Sequence, residues 1–231
     1  LRNASPSFDH WLGTDKMGRD IFVRILFGAR ISLAVGCLAA VINLIVGTIY
    51  GGIAGYVGGK VDMIMMRVVD IIYSVPSMLY IVLIMLIFGA SVVSIMLGIS
   101  ITCWIDMARI VRQQVKSLKE QEFTMAAFVL GASSSRILLK HLLINTMGQI
   151  IVTVTLMVPQ AIFTEAWLSF LGVGISAPMA SWGTLAQDAR ELIMTYPMQT
   201  VYPMIAICIT IFSFNFVGEG LEKALDPKRK R

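Results

Sequence analysis

Long apolar stretches without charge, separated by short polar segments, dominate the pattern of this chain. Four stretches are long enough to cross about 30 Å of hydrocarbon as helices. They cover residues 31–59, 71–105, 142–164 and 192–218. The second is too long for one helix, and Pro76 and the turn-like segment 89–91 divide it into crossings at about 74–88 and 92–107. The pattern therefore predicts an all-α membrane protein with five transmembrane helices in this chain.

A further uncharged stretch, residues 166–187, is not predicted to cross the membrane. Gly172, Gly174 and Pro178 interrupt it, and its serines make it polar. We expect it to form most of an outer loop at about 165–191.

The basic residues predict which segments lie in the cytoplasm. Residues 109–140 hold six Lys or Arg, and the segment after residue 218 holds five. The positive-inside rule places both in the cytoplasm, so the loop 165–191 between the last two spans lies outside. The sequence thus divides into a membrane domain at 31–218 and a cytoplasmic basic tail at 219–231.

Residues 1–30 are predicted to lie outside, with an interfacial helix that starts at about Asp20. Arg19, Arg24 and Arg30 run against the charge rule here, although Asp15 and Asp20 offset part of their effect. Five spans with a cytoplasmic C-terminus place residues 1–30 outside, but no span in this chain precedes them to carry them across the membrane. We therefore expect a sixth span to precede this chain.

Composition supports the membrane assignment. The chain is 57% hydrophobic and 14% charged, with a mean hydropathy of +0.78, whereas soluble domains are about 25% charged. Its net charge of +5 is concentrated in the predicted cytoplasmic segments. The charge therefore indicates topology and contact with anionic lipid rather than with nucleic acid.

The chain carries a charged, helix-forming loop at about 109–141 inside this apolar pattern. An amphipathic helix at about 119–130 is predicted to stop at Gly131, which can adopt a left-handed conformation. A second helix, at about 136–145, leads into the next span. The small pair Ala126-Ala127 leaves room for close packing on the first helix, which is typical of a surface presented to a partner.

No constellation for catalysis or for a cofactor is present in the sequence. Gly58-Gly59-Lys60 is not a phosphate-binding loop, because Val61 follows where Ser or Thr is needed. The two histidines, His10 and His141, are predicted on opposite sides of the membrane, without cysteines or acidic clusters beside them. We expect no enzyme activity and no cofactor or metal in this chain, so energy for any transport has to come from a partner.

Glycines at positions 47, 51 and 55 line one face of the first predicted span. This spacing lets another helix approach closely. Packing within one subunit and a contact between subunits are both open on the sequence alone.

The charged loop resembles the EAA loop of ABC importer permeases, in which two alanines, three residues and a glycine precede a further helix. The matching residues are Ala126-Ala127-Phe128-Val129-Leu130-Gly131, followed by His141-Leu142-Leu143-Ile144-Asn145. Met125, Phe128 and Ile144 depart from the usual pattern, which has glutamate, arginine and proline at these positions.

Flanking strings resemble one branch of that family, the C-type permease subunit of dipeptide, oligopeptide and nickel importers. They are Leu12-Gly13-Thr14-Asp15, Gly18-Arg19-Asp20, Gly28-Ala29-Arg30, the string from Glu165 to Gly174, Ser181-Trp182-Gly183 and Asp226-Pro227. The resemblance covers essentially the whole chain and implies a type I importer fold with six spans in the bacterial inner membrane.

The resemblance also implies partners and sites. A homologous permease subunit, two cytoplasmic ATPases that bind ATP and Mg, and an external solute-binding protein are expected. The residues expected to contact the ATPase are Glu122, Phe123, Ala126, Ala127, Leu130, Gly131, Arg136 and His141. The residues expected to face the binding protein or close the pathway mouth are Glu165, Ser169, Gly172 and Trp182.

The expected cargo is a di- or oligopeptide. Nickel, a metal chelate and a glutathione-like solute are the alternatives within the family. A channel or a secondary transporter is the alternative from another class, but the charges nearest the spans fall at their predicted ends, which gives little support to coupling by protons or sodium.

Overall fold

The computed structural model describes residues 2–175 and 179–225, and this part of the chain is helical apart from its turns and one isolated bridge between Thr14 and Asp20. The predicted breaker Pro178, the pair Asp226-Pro227 and the basic tail at 228–231 lie outside the described residues.

The α-helices follow one another with few long connections. They are α1 (Ile21–Ile42), α2 (Thr48–Val57), α3 (Gly59–Tyr73), α4 (Ser77–Phe88), α5 (Val92–Thr102), α6 (Trp104–Lys119), α7 (Glu122–Val129), α8 (Ser134–Arg136), α9 (Leu143–Phe170), α10 (Trp182–Ala189) and α11 (Met198–Leu225). A π-helical turn at Asn43–Gly47 joins α1 to α2, and another at Ile137–Leu142 joins α8 to α9.

Within the described ranges, four helical rods are long and apolar enough to cross a membrane. They cover Ile21–Val57, Val92–Lys119, Ser134–Phe170 and Met198–Leu225. Four of the five predicted spans coincide with these rods, although the last starts at Met198 rather than at residue 192. Because the first rod starts at Ile21, the predicted interfacial helix is a direct extension of the first span.

The bounds of the remaining span were wrong. α4 has only 12 residues, which rise about 18 Å, so it is too short to cross alone. Residues 60–70, which separate the first two apolar stretches, belong to α3, which meets α4 at a bend of 72°. The bent pair forms the fifth candidate span. Its two carboxylates, Asp62 and Asp70, are paired with basic residues of α6 and so are compatible with a packed helix.

The bundle has two ends, which we name by the segments they carry. The loop end carries α7, and the opposite end carries α10. The core between them includes Val35, Ile81 and Ile99 on one side of α9, and Val158 and Ile162 of α9 beside α10. α9 therefore lies at the centre of the fold and connects the two ends.

Candidate functional site

α7 is attached firmly to the end of α6. Thr124 is buried, and its hydroxyl donates a hydrogen bond to the Leu118 carbonyl oxygen over 2.7 Å. α7 ends where Gly131 takes a φ of 80°, and the Ala132 N–H donates to the Ala127 carbonyl oxygen over 3.1 Å. These bonds close the helix end in the way expected for a glycine stop. The predicted helix–turn–helix is confirmed, with a first helix shorter than expected.

α7 and the turn after it expose an apolar surface, which we call the loop surface. It consists of Phe123, Met125, Phe128, Val129 and Leu130. Phe128 is 73% exposed and Leu130 is 86% exposed. A contiguous apolar patch beside charged residues is typical of a surface that binds another protein.

The eight residues predicted to contact the ATPase do not all have the same surroundings. Ala127 is half-buried and packs against the core cluster that contains Met107 and Ile137. His141 is half-buried in the π-helical turn before α9. Six are exposed: Glu122, Phe123, Ala126, Leu130, Gly131 and Arg136. Of the alanine pair, Ala126 is therefore open to a partner, whereas Ala127 lets α7 pack on its own protein.

A groove of about 810 Å³ lies between α7 and the start of the next rod. Met125 and Phe128 of the loop surface line one side, and Leu138 lines the other. Tyr56 and Lys119 also line the groove, and the Lys119 ammonium donates a hydrogen bond to the Tyr56 carbonyl oxygen over 2.6 Å. Sequence reasoning missed Tyr56 because it lies in α2, and no local motif links it to the loop.

α6 is held along its length by α2 and by the π-helical turn that precedes α2. A Cβ added to Gly47 would lie 2.6 Å from the Met107 Cβ, and one added to Gly55 would lie 2.7 Å from the Arg112 carbonyl oxygen. Gly51 is also closed off, by the Ala108 backbone. The glycine face therefore packs within this subunit, which decides the question that the sequence left open. Such close backbone contact makes the α2–α6 pair stiff.

Ion pairs fasten α3 to the same helix. The carboxylate of Asp62, which is buried, accepts hydrogen bonds from Arg112 and, over 2.8 Å, from the Lys116 ammonium. One turn earlier on α6, Arg109 forms an ion pair with Asp70 of α3 over 3.0 Å. Among the described residues, no three His, Cys, Asp or Glu side chains are placed to hold a metal ion. The cluster thus joins α3 to α6 through paired charges.

At the opposite end, three of the four predicted outer-loop residues are buried. Glu165 belongs to α9 rather than to a loop, and it and Ser169 have no exposed surface. Trp182 is 4% exposed, and its Nε1–H donates to the Ile25 carbonyl oxygen over 2.9 Å. Gly172 alone is exposed, in a turn with a φ of 85°. The first three residues pack α9 and α10 against the fold and cannot contact a partner directly in this conformation.

The N-terminal turn is anchored to the opposite end by a carboxylate. Asp15 accepts hydrogen bonds from the side chains of Arg19 and Arg24, each over 2.8 Å, and Arg24 also reaches Asp188 of α10 over 3.0 Å. Burial acts to raise the pKa of Asp15, but hydrogen bonds from the Arg19 backbone, the Arg19 side chain and the Met17 N–H together lower it below its usual value. The anchor is therefore ionised at neutral pH.

Comparison with protein families and known sequences gives a consistent result. Residues 47–231 match the family described as binding-protein-dependent transport system inner membrane component. The chain is 53% identical to the oligopeptide transport system permease protein OppC of Bacillus subtilis over 233 residues, covering 100% of this chain and 76% of that protein. It is 48% identical to the dipeptide transport system permease protein DppC of the same organism, covering 100% and 72%.

Solved structures share the fold at low sequence identity. A chain from inward-facing conformations of the MetNI methionine ABC transporter superposes with a TM-score of 0.70 at 16% identity, covering 89% of this chain and 96% of that chain. A chain from an amino acid ABC transporter with histidines gives a TM-score of 0.67 at 14% identity, covering 88% and 94%. At these identities, the likeness concerns the fold alone.

Proposed function

Because this chain belongs to the family of binding-protein-dependent transport system inner membrane components, we propose that it is the permease subunit of an ATP-driven importer of di- or oligopeptides. The resemblance seen in the sequence is confirmed, and so is the all-α membrane fold. The cargo assignment rests on the two peptide permeases that match the whole chain at 53% and 48% identity. The chain is a membrane permease rather than an enzyme.

We propose that the loop surface docks on a cytoplasmic ATPase. The observation that supports this is the exposure of Phe123, Phe128 and Leu130 on a helix that is otherwise tied down by Thr124 and Gly131. Exposed apolar side chains on a rigid helix suit insertion into a groove of another protein. Glu122 and Arg136 flank this surface and would contribute polar contacts at its rim. ATP and Mg would be bound by the ATPase, with no cofactor in this chain.

The contacts of α6 suggest how movement of the ATPase would reach the membrane. A displacement of α7 would be transmitted to α6 through the Thr124 hydrogen bond. α6 would move together with α2, because the two helices are in close backbone contact along the glycine face. The ion pairs of Asp62 and Asp70 add α3 to the same unit. A rigid-body shift of these helices would open or close access at the α3–α4 bend.

The complete importer would contain a second, homologous permease subunit, two ATPases and a solute-binding protein. In this arrangement the loop end and the C-terminus face the cytoplasm, as the positive-inside rule requires. The binding protein would approach the opposite end, where Gly172 and the N-terminal turn are exposed. The buried residues Glu165, Ser169 and Trp182 would then act by holding α10 in place.

Disulfide crosslinking tests the coupling proposal directly. The three natural cysteines, Cys37, Cys103 and Cys208, are replaced by alanine, and single cysteines are placed at Ala126 or Phe128 in the assembled transporter. Crosslinks to cysteines engineered in the ATPase groove are expected to form, and their yield should change when ATP is trapped.

Met194, which is 95% exposed on the turn before α11, is the site for a matched control and should give no crosslink. Absence of crosslinks at every position tested along 119–136 would refute the docking proposal.

A further inference from the structure

A cavity of about 470 Å³ lies at the bend between α3 and α4. Asn43 of the first rod, Asp106 of α6 and Gln160 of α9 line its wall together with Ser77, the first residue of α4. Asp106 follows Val92, the first residue of its rod, by about four helical turns, or roughly 21 Å along the axis. Since the hydrocarbon core is about 30 Å thick, a span that begins at Val92 places Asp106 inside the half of the membrane nearer the loop end, close to the predicted end of that span.

The cavity wall is suited to water rather than to lipid. Ser77, Asp106 and Gln160 are all exposed in this chain. Polar and charged side chains at membrane depth face a bundle interior or an aqueous space, because contact with lipid is costly. Backbone outside a helix, as at the bend between Tyr73 and Ser77, is tolerated at this depth only where protein buries it or a cavity adjoins it. The wall therefore belongs to an aqueous compartment.

Asn43 provides an acceptor that the protein itself leaves unused. Its side chain is 2% exposed, and its Nδ2 donates to the Met157 sulfur. Its Oδ1 receives no hydrogen bond from any described residue. The Oδ1 atom also has almost no accessible surface, so Asn43 adds a buried polar group behind the wall and does not reach a ligand in this conformation.

The other side of the cavity offers donors. α4 starts at Ser77, and the residue before it, Pro76, supplies no side-chain cap. The free N–H groups of a first helical turn favour carbonyl oxygens and anions. Donors and acceptors thus line one cavity, as a peptide main chain with its own N–H and C=O groups requires.

The charge of the lining is also specific. Among the described lining residues, Asp106 alone is charged. One fixed negative charge matches the α-ammonium group that every unmodified peptide carries, without selecting for a particular side chain. Ile81, Ile99 and Ala161 supply an apolar wall of the same cavity, which tolerates varied side chains because apolar contact is not directional.

We propose that this cavity is a binding station for the main chain of the transported peptide. Asp106 receives the N-terminal ammonium, the exposed side-chain amide of Gln160 accepts a main-chain N–H, and the first turn of α4 donates to a carbonyl or carboxylate oxygen. The inference rests on the proposed function, because it presupposes that the cargo is a peptide. It goes further in assigning residues of this chain to the cargo and in making recognition independent of side chains.

Thiol labelling of the assembled transporter tests the station. Single cysteines replace Ser77 in the cavity or Leu83 on α4, which is exposed but does not line the cavity, in the background without natural cysteines. A membrane-impermeant cationic methanethiosulfonate should label the Ser77→Cys variant and leave Leu83→Cys unlabelled, since Leu83 would face lipid. Adding tri-alanine, the binding protein and ATP should slow the labelling of Ser77→Cys about fivefold, because labelling follows the unoccupied fraction.

Uptake gives the second measurement. The Asp106→Asn variant should import tri-alanine about tenfold more slowly at saturating binding protein, as expected from loss of a charge-assisted bond. Its melting temperature should stay unchanged, which separates binding from folding. Glu219→Gln, which removes an exposed carboxylate of α11 that does not line the cavity, is the matched control and should import normally.

The outcomes distinguish failure of the proposed peptide-binding cavity from failure of the proposed function, peptide import. If Ser77→Cys labels no faster than Leu83→Cys, if tri-alanine leaves its labelling unchanged, or if Asp106→Asn imports normally, the station is refuted while peptide import stands. If the wild-type transporter imports no peptide at all, the proposed function fails instead, and the labelling of Ser77→Cys without peptide still reports whether the cavity holds water.

Discussion

The Ser32 hydroxyl donates a hydrogen bond over 3.1 Å to the Glu165 carboxylate, which lies 133 residues further along the chain. Ser169 donates to the other carboxylate oxygen over 2.8 Å. The Ser32 oxygen in turn accepts the backbone N–H of Trp182 over 3.3 Å. One buried carboxylate therefore joins α1 to α9 and, through Ser32, to the start of α10.

Replacing Glu165 with alanine should destabilise the opposite end of the fold. Ser32 and Ser169 would lose their acceptor in a site without solvent, and a cavity would remain, so we expect a loss of about 2–4 kcal/mol. Glu165→Gln keeps the shape and one acceptor and should cost less than half as much. Thermal unfolding of the purified transporter checks the order, with the exposed Glu191→Ala as control. Equal stability of the Glu165→Ala and wild-type proteins would show that the carboxylate does not stabilise the packing of α1, α9 and α10.

Gly51→Ala should separate α2 from α6 and weaken coupling. The new Cβ would overlap the Ala108 backbone, and overpacking of this kind costs about 1–3 kcal/mol. We expect peptide transport to fall several-fold while the ATPase subunits still hydrolyse ATP.

The control for this change is Gly220→Ala in α11, where an added Cβ meets nothing within 4 Å. It should transport at the wild-type rate. A Gly51→Ala transporter with full activity would mean that the close contact of α2 and α6 is not needed for coupling.

The same glycine face illustrates how far the sequence could predict the fold. Apolar length predicted four rods, and the Gly131 stop predicted the end of α7, because both depend on local properties. The partner of Gly51 and the pairing of Asp62 with Arg112 depend on contacts between distant segments, so local pattern could not supply them. Charge counting left most of α3 outside the predicted spans, because it cannot distinguish a solvated carboxylate from a paired one.

The site shows the same division. Exposure of Phe123 and Leu130 was expected from the resemblance to a loop that contacts an ATPase. The predicted amphipathic pattern was wrong, because α7 exposes apolar side chains all round and buries the polar Thr124. Burial of Trp182 did not follow, since an aromatic residue near a membrane boundary suits an exposed anchor as well as a packed core. Only the contact with Ile25, far away in sequence, decides between them.

Asp62→Asn should loosen α3 from α6. It leaves Arg112 and Lys116 without their partner, and such a loss costs about 3–5 kcal/mol when a pair is fully buried. Here the cations are 30% and 45% exposed, so water replaces part of the interaction, and we expect about 1–3 kcal/mol. Glu219→Gln, which removes an exposed pair with Lys223, should cost almost nothing in the same thermal assay. Matching melting temperatures for the two variants would contradict the role of Asp62.

Acid should release the N-terminal turn. The folded-state pKa of Asp15 lies below its usual value of 3.8, so its ionised form favours the anchored turn at any pH above that value. This contribution is lost as the pH falls below 3.8 and through the lower folded-state pKa. Peptic cleavage within residues 2–20 should therefore increase in that acid range.

The Asp15→Asn variant should show at neutral pH the loosening that acid causes in the wild type, visible as faster amide hydrogen exchange in the same segment. Asp9→Asn, an exposed change in the same segment, serves as control. If amide exchange in Asp15→Asn is as slow as in the wild type, the Asp15 carboxylate does not hold the N-terminal turn in place.

Thr124→Val should weaken the link between α7 and α6 without changing the loop surface. Valine keeps the shape of threonine but cannot donate to the Leu118 carbonyl oxygen, which costs about 1 kcal/mol. Because the lost bond joins the proposed docking helix to the membrane rod, we expect ATP hydrolysis to continue while peptide import per ATP falls about two- to fivefold. Thr124→Ser restores the donor and should recover most of the ratio. Import and hydrolysis measured together in proteoliposomes test this, and an unchanged ratio in Thr124→Val would place the coupling contact elsewhere on the loop.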